Sequence, residues 1–242
     1  MDFLKQHLSD LNAGKILDFG TGRGQFVRVL MESFASYESI TGVDVVDPKE
    51  QIEMDLWWRD DIEWLTIEPG PLPFPDESFD TVSISSVLHH LKPELVVETL
   101  RDLLRVLKPG GLLIVVECVR DTNCEARRTQ VCFHHWRAKI AHLCGIDHYP
   151  TMSKTKLLEI IEELGLSDVK IGEHSPFRED WHDKANLDRI AAFMDRQLDP
   201  IRGYPEFEKL SAILQKLKLR MYRTGYLGAS FTIAVGRKTL RD

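Results

Sequence analysis

Asp18 stands two residues before a turn of three glycines, Gly20, Gly22 and Gly24, and Asp44 follows twenty residues after the last of them. Glycines at this spacing admit backbone conformations and close approaches that a Cβ would block, so a ligand can lie against bare backbone where a helix begins. The turn reads G-x-G-x-G, whereas the dinucleotide fingerprint is G-x-G-x-x-G. A carboxylate at the mouth repels a pyrophosphate and suits a ligand carrying an ammonium group. An acid ending a strand, as Asp44 does in Thr41-Gly42-Val43-Asp44, can accept hydrogen bonds from both hydroxyls of a ribose. An ammonium, a cationic sulfonium and a ribose occur together in S-adenosylmethionine (SAM), the cofactor these residues point to.

A second group of reactive side chains follows later in the chain. Ser85-Ser86-Val87-Leu88-His89-His90 comes directly after a run of β-branched residues, and in open α/β sheets ligands sit beyond the carboxyl ends of the strands. An imidazole at His89 or His90 has a near-neutral reference pKa and can take a proton from a hydroxyl, enol or amine; either can equally cap or pack against the next helix. Glu117 ends the following strand and can orient a cationic or hydroxylated substrate, or meet Arg120. Further on lie His134, His135, His142 and His148, with Cys132 and Cys144 nearby. Their spacing lacks the i, i+4 histidine pair of a metal-binding helix, so the expectation is no metal. His135 and Arg137 read instead as polar substrate contacts on a cap helix.

These residues need elements to hold them. Ile16 and Leu17 are strand formers, and Phe26, Val29, Leu30 and Phe34 recur at helical spacing behind the glycines. Residues 3–12 read as a short amphipathic helix, and Asp47-Pro48-Lys49-Glu50 as a turn. Trp57 and Trp58 read as packing residues and 63–68 as a third strand. Residues 80–85 form a fourth strand, 93–107 a helix, and Pro109-Gly110-Gly111 a turn into a fifth strand ending at Glu117. Helices are predicted over 130–144, 153–164, 186–198 and 205–223, and strands over 168–172 and 230–235. Residues 175–182 could line a pocket. The basic residues of 205–223 lie outside its apolar stripe.

In order and spacing, the motifs over about residues 14–120 resemble the class I SAM-dependent methyltransferases, especially the small-molecule branch with the compact core of menaquinone- and ubiquinone-type C-methyltransferases. The resemblance implies an α/β, Rossmann-like, seven-stranded and mostly parallel sheet of order 3-2-1-4-5-7-6, with the last strand antiparallel. It implies a single domain over 1–242, with helical cap elements at about 120–150 and 175–225. It also implies that Val45, Glu68 and Pro69 border SAM. Glu68 lies four residues before Leu72-Pro73-Phe74, where the family places an acid, more often Asp, on the adenine amino group; Asp60 and Asp61 are alternatives. His89 and His90 fall where the family borders the methyl group or the substrate. The implied reaction is in-line methyl transfer to a small-molecule acceptor. A catalytically silent SAM-binding module ranks second, and a nicotinamide-dependent oxidoreductase third because the required glycine spacing is missing.

At 242 residues and 43% hydrophobic, the chain can bury one sizeable core. A net charge of −7 argues against nucleic acid as the partner. No apolar run approaches a membrane span and the N-terminus lacks a signal pattern, so a cytoplasmic protein is expected. The four cysteines lack C-x-x-C spacing and read as reduced thiols. Acceptor identity is expected to reside in the cap, and oligomeric state has no marker in the sequence.

Overall fold

The computed structural model describes residues 1–47 and 50–240; Pro48 and Lys49 of the expected turn lie outside the described residues. Seven strands, β1 (Lys15–Phe19), β2 (Ser39–Asp44), β3 (Ile62–Thr66), β4 (Phe79–Ser85), β5 (Leu107–Val119), β6 (Ser167–His174) and β7 (Ser230–Arg237), make one sheet. Its order is β3-β2-β1-β4-β5-β7-β6. Strands β1 to β5 pair in parallel, and β7 runs antiparallel to both β5 and β6. The expected topology is observed in full.

The central strands are apolar on both sides because successive side chains point to opposite faces and both faces are covered. Leu17, Val82, Ile84, Leu113 and Val115 join one buried cluster, packed with α4 (Val96–Val106) and α6 (Lys154–Glu163). Ile16, Ile40, Ile114 and Val116 join the cluster on the other face, with α1 (Asp2–Leu8) and α2 (Gln25–Ser33). Short α3 (Met54–Trp57) adds Leu56 to the second cluster, while Trp58 is exposed.

Several boundaries differ from the sequence reading. Helix α1 stops at Leu8, and Asn12 forms a bridge with Ser36. Pro93–Leu95 makes one 3-10 turn before α4 begins, in keeping with proline at a helix start. The expected Pro109-Gly110-Gly111 turn belongs to a long β5. There Gly110 N–H donates to Lys238 O at 2.8 Å, and the pairing with β4 shifts register between Phe79 and Thr81. Strand β3 ends at Thr66, short of Glu68.

A third apolar cluster lies between α5 (Glu125–Leu143), α7 (Lys184–Arg196) and α8 (Phe207–Thr224). Helix α5 begins five residues earlier than the polar-interrupted pattern predicts. Its first turn is held from outside by Arg220 of α8, which pairs with Glu125, and from within by Arg128 of the same helix, which pairs with Glu125 at i,i+3. Trp136 is buried in the cluster and its indole N–H donates to Leu210 O at 3.0 Å. Ile201, Leu214, Met194 and Met221 complete the interior. Among the described residues, no helix is long and apolar enough to cross a membrane.

Because Trp136 supplies both the largest ring of this cluster and a partner for a helix carbonyl, Trp136→Ala is expected to cost about 3–5 kcal/mol. Urea unfolding of the two proteins checks this.

Candidate active site

The site begins at the turn between β1 and α2. Gly20 and Thr21 N–H both donate to Val43 O, at 2.8 and 3.0 Å, and Gly24 N–H donates to Thr21 O at 2.9 Å. The three glycines have φ of 71°, 50° and 80°. A Cβ on Gly20 would meet Val87 Cγ2 at 2.3 Å and one on Gly24 would meet Leu56 Cδ1 at 2.7 Å. At Gly22 a Cβ would find nothing within 4 Å. The positive φ favours glycine at all three positions, close packing on Val87 adds to this at Gly20, and the open space beside Gly22 leaves room for a ligand.

Asp44 closes the turn from the end of β2: Oδ2 accepts from Gly22 N–H at 2.8 Å and Oδ1 from Val46 N–H at 3.1 Å. Each oxygen keeps a lone pair for a further donor. Val45 is exposed next to it, and Glu68 and Pro69 are exposed just past β3, the strand paired with β2. Ser85, half-buried, is the last residue of β4.

Asp18 is different. It is buried, its Oδ1 accepts from the Ser83 hydroxyl at 2.6 Å, and its Oδ2 has no hydrogen-bond partner. Burial pushes its carboxyl up to about 6, against the lowering effect of the Ser83 hydroxyl. The Thr21 hydroxyl in the same turn lies near enough to lower that value as well, though without closing a hydrogen bond of normal geometry. A buried carboxylate oxygen without a donor is costly, and an ammonium group of a ligand would supply one. The residues present thus fit the amino acid end of SAM.

A second buried carboxylate organises the ends of β4 and β5. Ser86 takes a left-handed conformation, φ 58°, and its N–H donates to Val116 O at 2.8 Å, which turns the chain into the 3-10 turn Leu88–His90. Glu117 Oε2 accepts from Leu88 N–H at 2.8 Å, and its Oε1 accepts from Cys118 N–H and His89 Nδ1–H, each at 2.8 Å. Burial pushes the Glu117 carboxyl up, but the His89 ring bonded to it and the Cys118 donors outweigh that and hold the net value below the usual range. Glu117 therefore stays ionised and fixes a proton on His89 Nδ1.

The segment after α5 is strapped onto this turn. Tyr149 N–H donates to His89 O at 2.6 Å, and His90 Nδ1 lies 3.3 Å from Asp147 O. The strap sets His148 beside His134 of α5, with their Nε2 atoms 3.2 Å apart. Ring centres of His89 lie 4.9 Å from His134 and 5.4 Å from His148. Burial, with neighbouring imidazoles adding to it, pushes His134 down to about 4 and His148 down to about 3. All three are buried, whereas His90 sits at the rim, exposed.

The structure therefore unites Glu117 with His89, which the sequence treated as separate candidates. His135 and Arg137 are not part of that group. His135 Nε2 is 3.1 Å from Thr151 Oγ1, and the Arg137 guanidinium lies 5.9 Å from the Phe193 ring centre. Sequence reasoning missed His134 and His148 as partners, since fourteen residues and the Gly145 break separate them. It also passed over Ser83, whose hydroxyl looks like any strand residue. Between α5, α8 and the strap, a cavity of about 460 Å³ is lined by Leu143, His148, Tyr149, Pro150, Leu210 and Ile213 among others. Of the segment expected to line a pocket, Ser175 borders a cavity of about 390 Å³ together with Arg127 and Lys154, while Phe177 is exposed.

This sheet order, with a glycine turn after β1 and acids ending β1 and β2, is that of a Rossmann-like methyltransferase fold. The chain belongs to the methyltransferase-domain family, whose model matches residues 2–171. It is 32% identical over 120 residues to the ubiquinone/menaquinone biosynthesis C-methyltransferase UbiE of Hahella chejuensis, covering 48% of this chain and 47% of that protein. The chain thus matches about half the length of this relative. A protein of Bacillus halodurans proposed to be a methyltransferase is similar in structure, with a TM-score of 0.63 at 17% identity over 99% of this chain and 98% of that one. A SAM-dependent methyltransferase of Archaeoglobus fulgidus gives 0.53 at 18% over 93% and 86%.

Asp18 also makes a prediction about stability. Its folded pKa of about 6 lies above the ordinary 3.8, so the folded state holds the proton more tightly and loses stability as pH rises from about 4 through about 6. Asp18→Asn, neutral throughout, escapes that loss. At pH 8 it should be the more stable protein by about 1–3 kcal/mol, with the difference vanishing below pH 4. Chemical denaturation across this range is the measurement.

Proposed function

We propose that this protein is a SAM-dependent methyltransferase acting on a small-molecule acceptor. The observation that carries this reading is the buried, unpartnered oxygen of Asp18 in the same turn as the open side of Gly22. In this reading Asp18 receives the ammonium of SAM, the backbone around Gly20, Gly22 and Gly24 lies against it, and Asp44 accepts from the ribose. Val45, Glu68, Pro69 and Ser85 border the cofactor, with Glu68 toward the adenine.

When bound, SAM would supply a methyl group on a positively charged sulfur, open to in-line displacement by an acceptor oxygen, nitrogen or carbon with S-adenosylhomocysteine as the departing product. The protein's task is to hold nucleophile and methyl in line at about 3–3.5 Å and to keep water out. Where the acceptor also gives up a proton, an imidazole of the His89–His90 pair takes it, and the Glu117 carboxylate on His89 Nδ1 stabilises the cation that His89 becomes. A small acceptor is favoured by the net charge of −7 and by the cavity of about 460 Å³, which lies in the size range of small-molecule sites.

Isothermal titration of SAM, and separately of NADH, into the protein tests the cofactor. SAM is expected to bind and NADH to give no heat. Asp18→Ala and Asp44→Ala should each weaken SAM by roughly 10- to 100-fold, the worth of a hydrogen bond to a charged group. Failure of the folded wild type to bind SAM overturns the reading. Release of S-adenosylhomocysteine during a screen of small nucleophiles separates an enzyme from a silent binding module.

A further inference from the structure

Three buried imidazoles converge from three separate pieces of chain: His89 from the turn after β4, His134 from the middle of α5, and His148 from the strap that follows α5. One ring nitrogen of each lies within 4.8 Å of one from each of the others. The His134 and His148 Nε2 atoms are 3.2 Å apart. Metal–nitrogen bonds of about 2.0–2.1 Å in a tetrahedral site place neighbouring ligand nitrogens ~3.3 Å apart, so this pair, which shares a hydrogen bond in the metal-free chain, also stands at the ligand–ligand distance. The His89 nitrogen, within 4.8 Å of the other two, has to close by up to about 1.5 Å, a movement within reach of ring rotation.

A second, independent feature is the state of His89. Its Nδ1–H is donated to the Glu117 carboxylate at 2.8 Å, which leaves the Nε2 lone pair for a ligand. Histidines that bind metals almost always donate their other ring N–H to a carboxylate, carbonyl or water. Glu117 in turn is fixed by Leu88 and Cys118 N–H, so the ring is oriented before any ion arrives. The other contact of His134 Nε2, to Tyr149 O, is long at 3.4 Å.

From this geometry we infer that His89, His134 and His148 form a binding site for a divalent first-row transition-metal ion such as zinc, with Glu117 as the outer carboxylate. The inference departs from the sequence expectation that the chain holds no metal. Imidazole donors suit zinc, copper, iron and nickel over magnesium or calcium. Three protein nitrogens leave a fourth tetrahedral position, the pattern of metal sites that work on a substrate. If the methyl-transfer reading holds, on which this last step rests, that position takes an oxygen or sulfur of the acceptor. Coordination then lowers the acceptor's own pKa. His89 Nε2 is committed to the ion, and His90 at the rim is left to accept the proton. The cavity beside His148 offers the remainder of the acceptor an apolar surface.

Metal-free protein is titrated with zinc chloride by calorimetry, and with cobalt chloride by visible absorption, where a four-coordinate ion gives intense d–d bands. One ion per chain with those bands is expected. Glu117→Gln should weaken zinc by roughly 10- to 100-fold, and His134→Ala and His148→Ala should each weaken it further than that. Arg128→Ala, on the same helix but paired with Glu125 on its exposed side, controls for local damage and should bind as the wild type does. No zinc heat and no cobalt bands in the wild type, or binding that survives both His134→Ala and His148→Ala, overturns the site. SAM affinity is read on the same samples: SAM binding without zinc binding removes only the metal, and zinc binding without SAM binding removes only the methyl-transfer reading.

Discussion

The Glu117 carboxylate is out of water at the end of β5, and the geometry of the site's second half follows from the donors it must have. Burying a charge is tolerable only when hydrogen bonds replace its hydration. Parallel pairing sets Ser85 opposite Val116, so the chain leaving β4 passes directly over Glu117. The left-handed Ser86 then turns it until Leu88 N–H and the His89 ring both face the carboxylate. The His89 tautomer is thereby decided, and the strap at Tyr149 finds a fixed carbonyl to bond.

Asp18 shows the opposite arrangement at the end of β1. It has one good donor, Ser83, and one oxygen with none, and its carboxyl is displaced upward, whereas that of Glu117 is displaced downward. The contrast separates their work. Glu117 is complete without a ligand and holds protein groups in place. Asp18 is incomplete, and the folded chain carries a destabilising charge there that a cationic ligand can compensate. Sites of this kind trade stability for affinity.

The third apolar cluster positions the remaining side chains. Family matching covers residues 2–171 and so stops ahead of α7 and α8, yet those helices hold α5 in place through Trp136, Leu210, Met194 and Met221. Helix α5 carries His134, and its end begins the strap that carries His148. Packing remote from the sheet therefore fixes where two of the imidazoles meet the third.

Local information was enough for the glycine turn, the strand pattern and the two acids ending β1 and β2, because these features recur at short, fixed spacings and need only neighbours in the chain to be recognised. The sheet order was not local information of this kind and came only from the resemblance of the motifs to a known family. Element ends were less legible. Where α5 starts depends on Arg220, nearly a hundred residues away, reaching Glu125, and where β3 stops depends on its pairing with β2. The partners of each reactive residue were set by the fold alone. Nothing near Glu117 in the chain says that His89 will fill its Oε1, and nothing near His135 or Arg137 says that Thr151 and Phe193 will lie against them. Hydrogen bonds and ring contacts between residues far apart in sequence exist only after packing has fixed both ends, which is why chemistry of this kind is decided in the tertiary structure.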